Sequence, residues 1–188
     1  GFGRREKDRQ VTALINELQE LSTHDPLTGL SNRRNFTRIF VDELARISRR
    51  NAELSLIFAD LDHFKVINDT HGHHVGDQVL KATAAHLRSC CRHYDTPARW
   101  GGEEFVILLP DTDEQDAIII AERIRISLQD GIRPAISFPV TISIGVAEYL
   151  DGETLDTLIE RADQALYQAK QQGRNRVRGW RSISPTSN

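Results

Sequence analysis

The stretch ARWGGEEFVILL, residues 98–109, decides how this chain folds. Ala98–Trp100 and Phe105–Leu109 are short apolar runs, and between them stand Gly101, Gly102, Glu103 and Glu104. Paired glycines between strand-like runs predict a β-hairpin, and so an antiparallel pair inside the sheet. Working outward, residues 76–91 carry Val79, Leu80, Thr83, Ala84, Leu87 and Cys90 at helical spacing. Residues 114–129 place Ala117, Ile120, Ala121, Ile124 and Leu128 on one helical face. Further upstream, Leu54–Leu61 (LSLIFADL) reads as a buried strand, and Asn32 offers an N-cap for a helix to about Arg50 with Phe36, Ile39, Phe40, Leu44 and Ile47 inward. Downstream, Val140–Val146 alternates as a half-buried strand, and Leu155, Leu158, Ile159, Ala162, Ala165, Leu166 and Ala169 mark the cleanest helix. Arg176–Trp180 adds an edge strand, and residues 181–188 form a loose tail. Strands alternate with helices around a central hairpin, which predicts an α/β fold: a mixed central sheet flanked by helices.

Composition narrows the class. With 188 residues, 39% hydrophobic and 27% charged, the chain suits one globular domain and excludes a disordered or fibrous protein. No apolar run approaches the roughly 18 residues of a membrane span, and the N-terminal GFGRREKDRQ is charged where a signal peptide is apolar. A net charge of −3 argues against a nucleic-acid partner but leaves room for a local basic pocket. Cys90 and Cys91 are adjacent, which makes no disulfide framework and points to a reducing, cytoplasmic setting. They read as small apolar residues, with a redox role as the alternative. The absence of Met suggests a fragment. Val11, Leu14, Leu18 and Leu21 follow a 3-4-3 spacing, so residues 1–22 read as a helical linker, either a frayed leader or the end of a coiled coil arriving from an upstream region.

Three acids stand where a sheet prefers apolar residues: Asp60 at the end of a core strand, and Glu103 and Glu104 in the hairpin turn. Each suits a solvated turn. If the elements are neighbours, however, Asp60 and Glu103 converge, and close carboxylates repel unless a cation lies between them. Carboxylates with water and phosphate oxygens form the ligand set of Mg²⁺ or Mn²⁺. After Asp60 the chain passes into a short helix that Asp62 could cap, leaving the amides of residues 63–65 and the Lys65 charge facing an anion. Lys170 and Arg174, one helical turn apart, either compensate a helix C-terminus or bind phosphate. A metal site, an amide nest and a Lys/Arg pair together suggest a nucleoside triphosphate pocket.

These residues also carry a family resemblance. Arg99-Trp100-Gly101-Gly102-Glu103-Glu104-Phe105 resembles the signature of GGDEF domains in its GGEEF form. Asp25-Pro26-Leu27-Thr28-Gly29-Leu30-Ser31-Asn32-Arg33-Arg34 resembles that family's opening motif, and Asp60 to Lys65 with Asn68-Asp69, Gly72-His73 and Gly76-Asp77 its second. Ala162-Asp163, Ala165-Leu166-Tyr167, Ala169-Lys170 and Gly173-Arg174-Asn175-Arg176 resemble its closing motif. The likeness runs in order from about residue 22 to 179, within a domain spanning 23–180.

The resemblance implies a fold like nucleotide cyclases and the polymerase palm, with a ferredoxin-like core. It implies a diguanylate cyclase that condenses two GTP into cyclic di-GMP and two pyrophosphates across a homodimer, as the output end of a protein whose upstream regulatory domain is missing here. By this likeness Asp60, Glu103 and the backbone carbonyl of Leu61 hold Mg²⁺ or Mn²⁺, and Glu104 holds a second ion, giving two per half-site. Glu103 is the implied proton acceptor, although metal ligation weakens it as a base. His63, Phe64, Lys65 and Gly102 line the implied substrate site. Lys170 and Arg174 bind the γ-phosphate, Asn68 and Asp77 select guanine, and His73 lines the base pocket. Adenine lacks the donors that Asp77 accepts, a difference of roughly 1–3 kcal/mol or more. The set Arg92-x-x-Asp95, with Arg123 joining, matches the family's product-inhibition site, although Arg and Asp at i,i+3 also form a plain ion pair. The alternative function is a catalytically silent GGDEF module that senses GTP or cyclic di-GMP. A dimerisation domain with decorative acids leaves the ordered motifs unexplained.

Overall fold

The computed structural model describes residues 2–183. A leading helix α1 (Phe2–Leu21) precedes α2 (Arg33–Arg50), β1 (Leu54–Leu61), α3 (Phe64–His71) and α4 (His73–Cys90). The hairpin β2 (Thr96–Gly101) and β3 (Glu104–Pro110) follows, then α5 (Glu114–Gly131), β4 (Ile142–Glu148), α6 (Leu155–Gln171), β5 (Val177–Gly179) and α7 (Trp180–Ile183). The five strands lie in the order β2-β3-β1-β4-β5. β1 is central and antiparallel to both β3 and β4, and β5 runs parallel to β4 at the edge. The mixed sheet and the central hairpin are as the sequence predicts.

Helices cover both faces, so every residue of β1 is buried. Alternation then sorts its side chains. Ile57 joins Ala59 and Leu61 in a core with α3, α4 and α5, whereas Leu54, Leu56 and Phe58 pack with Phe36 and Phe40 of α2 and Leu158 and Ala162 of α6. Local caps agree with this arrangement. Asn32 accepts a hydrogen bond from the Asn35 amide, Asp113 from the Asp116 amide, and Thr154 forms a capping box with Thr157.

Boundaries differ from the sequence reading where apolar periodicity says little. α4 begins at His73, on the turn of Gly72 (φ 90°). β4 spans 142–148 instead of 140–146. The Val140 amide donates to Gln129 Oε1 and the Thr141 carbonyl accepts from the Asp62 amide, so ladder pairing with β1 starts only at Ile142. Residues 181–183 of the expected tail belong to α7, and 184–188 lie outside the described residues. No described helix is long and apolar enough to cross a membrane.

Candidate active site

Asp60 lies at the end of β1 on the face that α6 covers. It pairs with Glu104 on one side and Ser143 on the other. α6 packs unusually close to the sheet, because Gly145 of β4 has no side chain: a Cβ there would lie 2.0 Å from the Ala162 carbonyl oxygen. That approach brings the Lys170 ammonium onto Asp60 Oδ2 at 2.5 Å. Asp60 Oδ1 is buried and has no hydrogen-bond partner. Burial pushes the Asp60 carboxyl above its ordinary range; Lys170 opposes this, and the nearby Glu103 and Asp62 charges add to it. Glu104 is raised by burial and by the charges of Asp60 and Asp163.

The hairpin turn is braced from two directions. The Leu61 amide donates to the Glu103 carbonyl at 3.4 Å. Arg99 donates through Nε to the Gly102 carbonyl at 3.0 Å and through Nη1 to both oxygens of Asp25 at 3.3 Å. Asp25 in turn accepts from the amide and hydroxyl of Thr28, each at 2.8 Å. Arg33 donates to the Trp100 carbonyl at 2.9 Å and stacks over its ring. The opening motif thus holds the turn that carries Glu103. Nothing local in the sequence marks Arg99, Asp25 and Arg33 for this role, since Asp25 lies 74 residues from Arg99 and Trp100 lies 67 residues from Arg33.

Across the cleft, α3 starts without a side-chain cap, and His63 takes a left-handed φ of 54° at its N-cap. Asp62 does not cap this helix, contrary to expectation. It is 5% exposed and accepts from Thr141 Oγ1 at 2.7 Å, Ser143 Oγ at 2.6 Å and the Asn175 amide at 3.0 Å. This anchors the left-handed turn of Gly173 (φ 118°), Arg174 (φ 62°) and Asn175 (φ 45°) that presents Arg174. An acid just past the end of β1 is the signal available in the sequence, but not its direction.

The result is a cleft of about 270 Å³. Asp60, Leu61 and Glu103 line one part of it, His63, Phe64 and Lys65 another, and Lys170 with Arg174 close it. Gly102, Glu104, Asn68, His73 and Asp77 do not line this cleft. Asn68 Oδ1 is tucked against Gly76, where a Cβ would lie 1.8 Å from it, and has no hydrogen-bond partner. His73 and Asp77 are exposed on the first turns of α4. A roomier groove of about 400 Å³ shares Asp62 and His63 but holds neither Asp60 nor Glu103.

The donor set fits a hard divalent cation: an orphaned buried carboxylate oxygen, a second carboxylate and nearby backbone carbonyls. Among the described residues no three His, Cys, Asp or Glu side chains form a metal group by themselves. Such an incomplete set is usual for Mg²⁺, which keeps waters and substrate phosphates as ligands.

Away from the cleft, Arg92 forks onto Asp95, with Nη2–Oδ1 at 2.9 Å and Nε–Oδ2 at 3.0 Å, and also donates to Thr112 Oγ1 at 2.7 Å. This is the i,i+3 ion pair that the spacing allowed. Arg123 is exposed on α5 and makes no ion pair among the described residues.

Comparison with known proteins agrees with this architecture. Residues 22–176 match the family described as diguanylate cyclase, GGDEF domain. The chain is 46% identical over 166 residues to diguanylate cyclase DgcM of Escherichia coli K12, covering 87% of this chain and 40% of that protein. It is 42% identical over 167 residues to diguanylate cyclase A of Treponema denticola, covering 86% and 45%. The chain therefore spans less than half the length of these relatives. Among solved structures, the coiled coil and GGDEF domain of DgcB from Caulobacter crescentus, in complex with c-di-GMP, superposes with a TM-score of 0.78 at 32% identity, covering 93% of this chain and 96% of that one.

Proposed function

The chain belongs to the GGDEF family of diguanylate cyclase domains, and from that membership we propose that it condenses two GTP into cyclic di-GMP and two pyrophosphates. Each of two facing copies holds one GTP. The 3′-hydroxyl of each nucleotide attacks the α-phosphorus of the other, a new P–O bond forms, the α–β phosphoanhydride bond breaks, and pyrophosphate leaves. The observation that carries this reading is the Asp60 carboxylate, buried with one oxygen unpartnered, in the same cleft as Glu103, Lys170 and Arg174.

Asp60, Glu103 and the Leu61 carbonyl would hold Mg²⁺ or Mn²⁺, with Glu104 available to a second ion. Bound there, such ions lower the pKa of an attacking hydroxyl and offset charge on the leaving pyrophosphate. The chain's own groups do the rest. Lys170 and Arg174 orient the γ-phosphate, and the uncapped start of α3 with Lys65 receives the inner phosphates. Gly102 lets the substrate approach the turn, and Glu103 takes the hydroxyl proton. Asn68 and Asp77 accept from guanine N1–H and its 2-amino group, beside His73. Arg92 and Asp95, with Arg123, bind the product as inhibitor; the Arg92 fork would then exchange Asp95 for a phosphate or a guanine edge. GTP as substrate places the domain in the cytoplasm. α1 serves as one strand of a coiled coil that joins two copies and leads to an upstream regulatory domain.

Concentrated protein, stripped of bound nucleotide and incubated with GTP and Mg²⁺, should yield cyclic di-GMP by mass spectrometry. Glu103→Ala should abolish turnover while leaving the circular dichroism spectrum unchanged. Binding of GTP or cyclic di-GMP without any turnover would instead identify a sensor module.

A further inference from the structure

Outside the cleft, the seam between α4 and α5 contains a thiol and an imidazole that the proposed reaction does not use. We propose that Cys90 is a modification site, a thiol activated by His86 and oxidised to a sulfenic acid by small hydroperoxides, while its neighbour Cys91 stays inert.

His86 and Cys90 lie one helical turn apart on α4. The ring is buried, 6% exposed, and its position is set by Gly131 at the end of α5, where a Cβ would lie 2.0 Å from Nδ1. Nε2 lies 3.6 Å from Cys90 Sγ, 3.0 Å from Ser127 Oγ and 3.3 Å from the Ile124 carbonyl oxygen. The Ser127 hydroxyl donates to the Arg123 carbonyl at 2.6 Å, so toward the ring its oxygen acts as an acceptor. Nε2 therefore faces acceptors and carries the ring N–H, which lies 3.6 Å from Sγ and stabilises the thiolate left when the thiol proton passes to solvent. The thiolate that results keeps this N–H as its hydrogen-bond donor. Cys90 and Cys91 are both partly exposed, so the imidazole contact, not access, separates the two thiols.

The two groups shift each other in the same sense. The hydrogen bond to Cys90 raises the basicity of His86, and that bond lowers the Cys90 thiol. Cys91 is the internal contrast: burial, with the Asp95 charge beside it, pushes its thiol up to about 12. Two adjacent residues of one helix end are thus set to opposite reactivities by what each side chain touches.

In the reaction, the Cys90 thiolate attacks one peroxide oxygen. An S–O bond forms, the O–O bond breaks, and the departing alkoxide or hydroxide takes a proton from solvent. The sulfur gives up two electrons and the hydroperoxide becomes an alcohol or water.

The test treats the folded chain at neutral pH with hydrogen peroxide in the presence of dimedone, which traps sulfenic acids, and locates the adduct by fragmentation mass spectrometry. A free thiol is only a few per cent ionised at pH 7, so Cys90 should be labelled at least about tenfold faster than Cys91. His86→Gln should slow labelling at Cys90 by about tenfold, with the helical circular dichroism signal retained. Equal or faster labelling at Cys91 overturns the proposal, as does an unchanged Cys90 rate in folded His86→Gln. The ratio of the two cysteines is read in the unaltered chain, so it decides the matter even where the variant does not fold.

Discussion

At Asp60 two demands on a carboxylate conflict. Its ionised form is what a cation needs, yet burial favours the neutral form, and Lys170 compensates only one of its oxygens. Because its folded pKa is raised, the ionised group subtracts from stability, a penalty that is absent below the unfolded carboxylate range near about pH 4 and grows as pH rises through the folded value. Asp60→Asn should therefore melt at a higher temperature than the parent chain at neutral pH, and this gain should vanish in acid. The same variant should lose any thermal stabilisation by added Mg²⁺, and melting curves across pH with and without the ion check both. The carboxyl of Asp62 is buried under three hydrogen bonds of 2.6–3.0 Å, so Asp62→Ala should cost about 1.5–3 kcal/mol in chemical denaturation. It should also raise KM for GTP, since Asn175 and the turn presenting Arg174 lose their anchor.

Among the elements, the packing of α6 against β4 governs the site. The sheet end supplies Asp60 and α6 supplies Lys170, and their meeting depends on the missing side chain at Gly145. Gly145→Ala places a Cβ against the backbone of Ala162 and Leu166, which a helix cannot accommodate by rotating a side chain. Destabilisation of about 1–3 kcal/mol is expected, together with a fall in turnover as Lys170 is displaced. Thermal melting and the cyclase assay, run on the same preparation, check this. The hairpin is braced in a comparable way, with Arg99 reaching from β2 to the Gly102 carbonyl and to Asp25. This explains how a turn containing two glycines holds a definite shape. The hairpin itself was legible in residues 98–109, because glycine pairs and apolar runs are local signals. Its bracing was not, since Asp25 lies 74 residues from Arg99.

At the level of the whole molecule, one copy supplies one half of the proposed reaction, so turnover per chain should rise with protein concentration and level off as copies pair. α1 exposes Val11, Leu14, Leu18 and Leu21, each more than half exposed, and the proposed function uses this stripe as the seam for that pairing. Removing residues 1–22 should move the rise to higher concentration, and activity on dilution with sedimentation velocity measures the shift. An unchanged dilution curve would assign pairing to other surfaces.

The residue string alone carries the α/β alternation, the central hairpin, the three acids and the ordered motifs, because periodicity, turn chemistry and side-chain type are properties of short windows. Packing alone decides the partners. Lys170 meets Asp60 across 110 residues, and Asp62, which a local reading makes a helix cap, turns instead to Thr141, Ser143 and Asn175, 79 to 113 residues away. A charged side chain takes whichever donor the folded sheet and helices bring within about 3 Å, and that choice exists only once both faces of the sheet are covered.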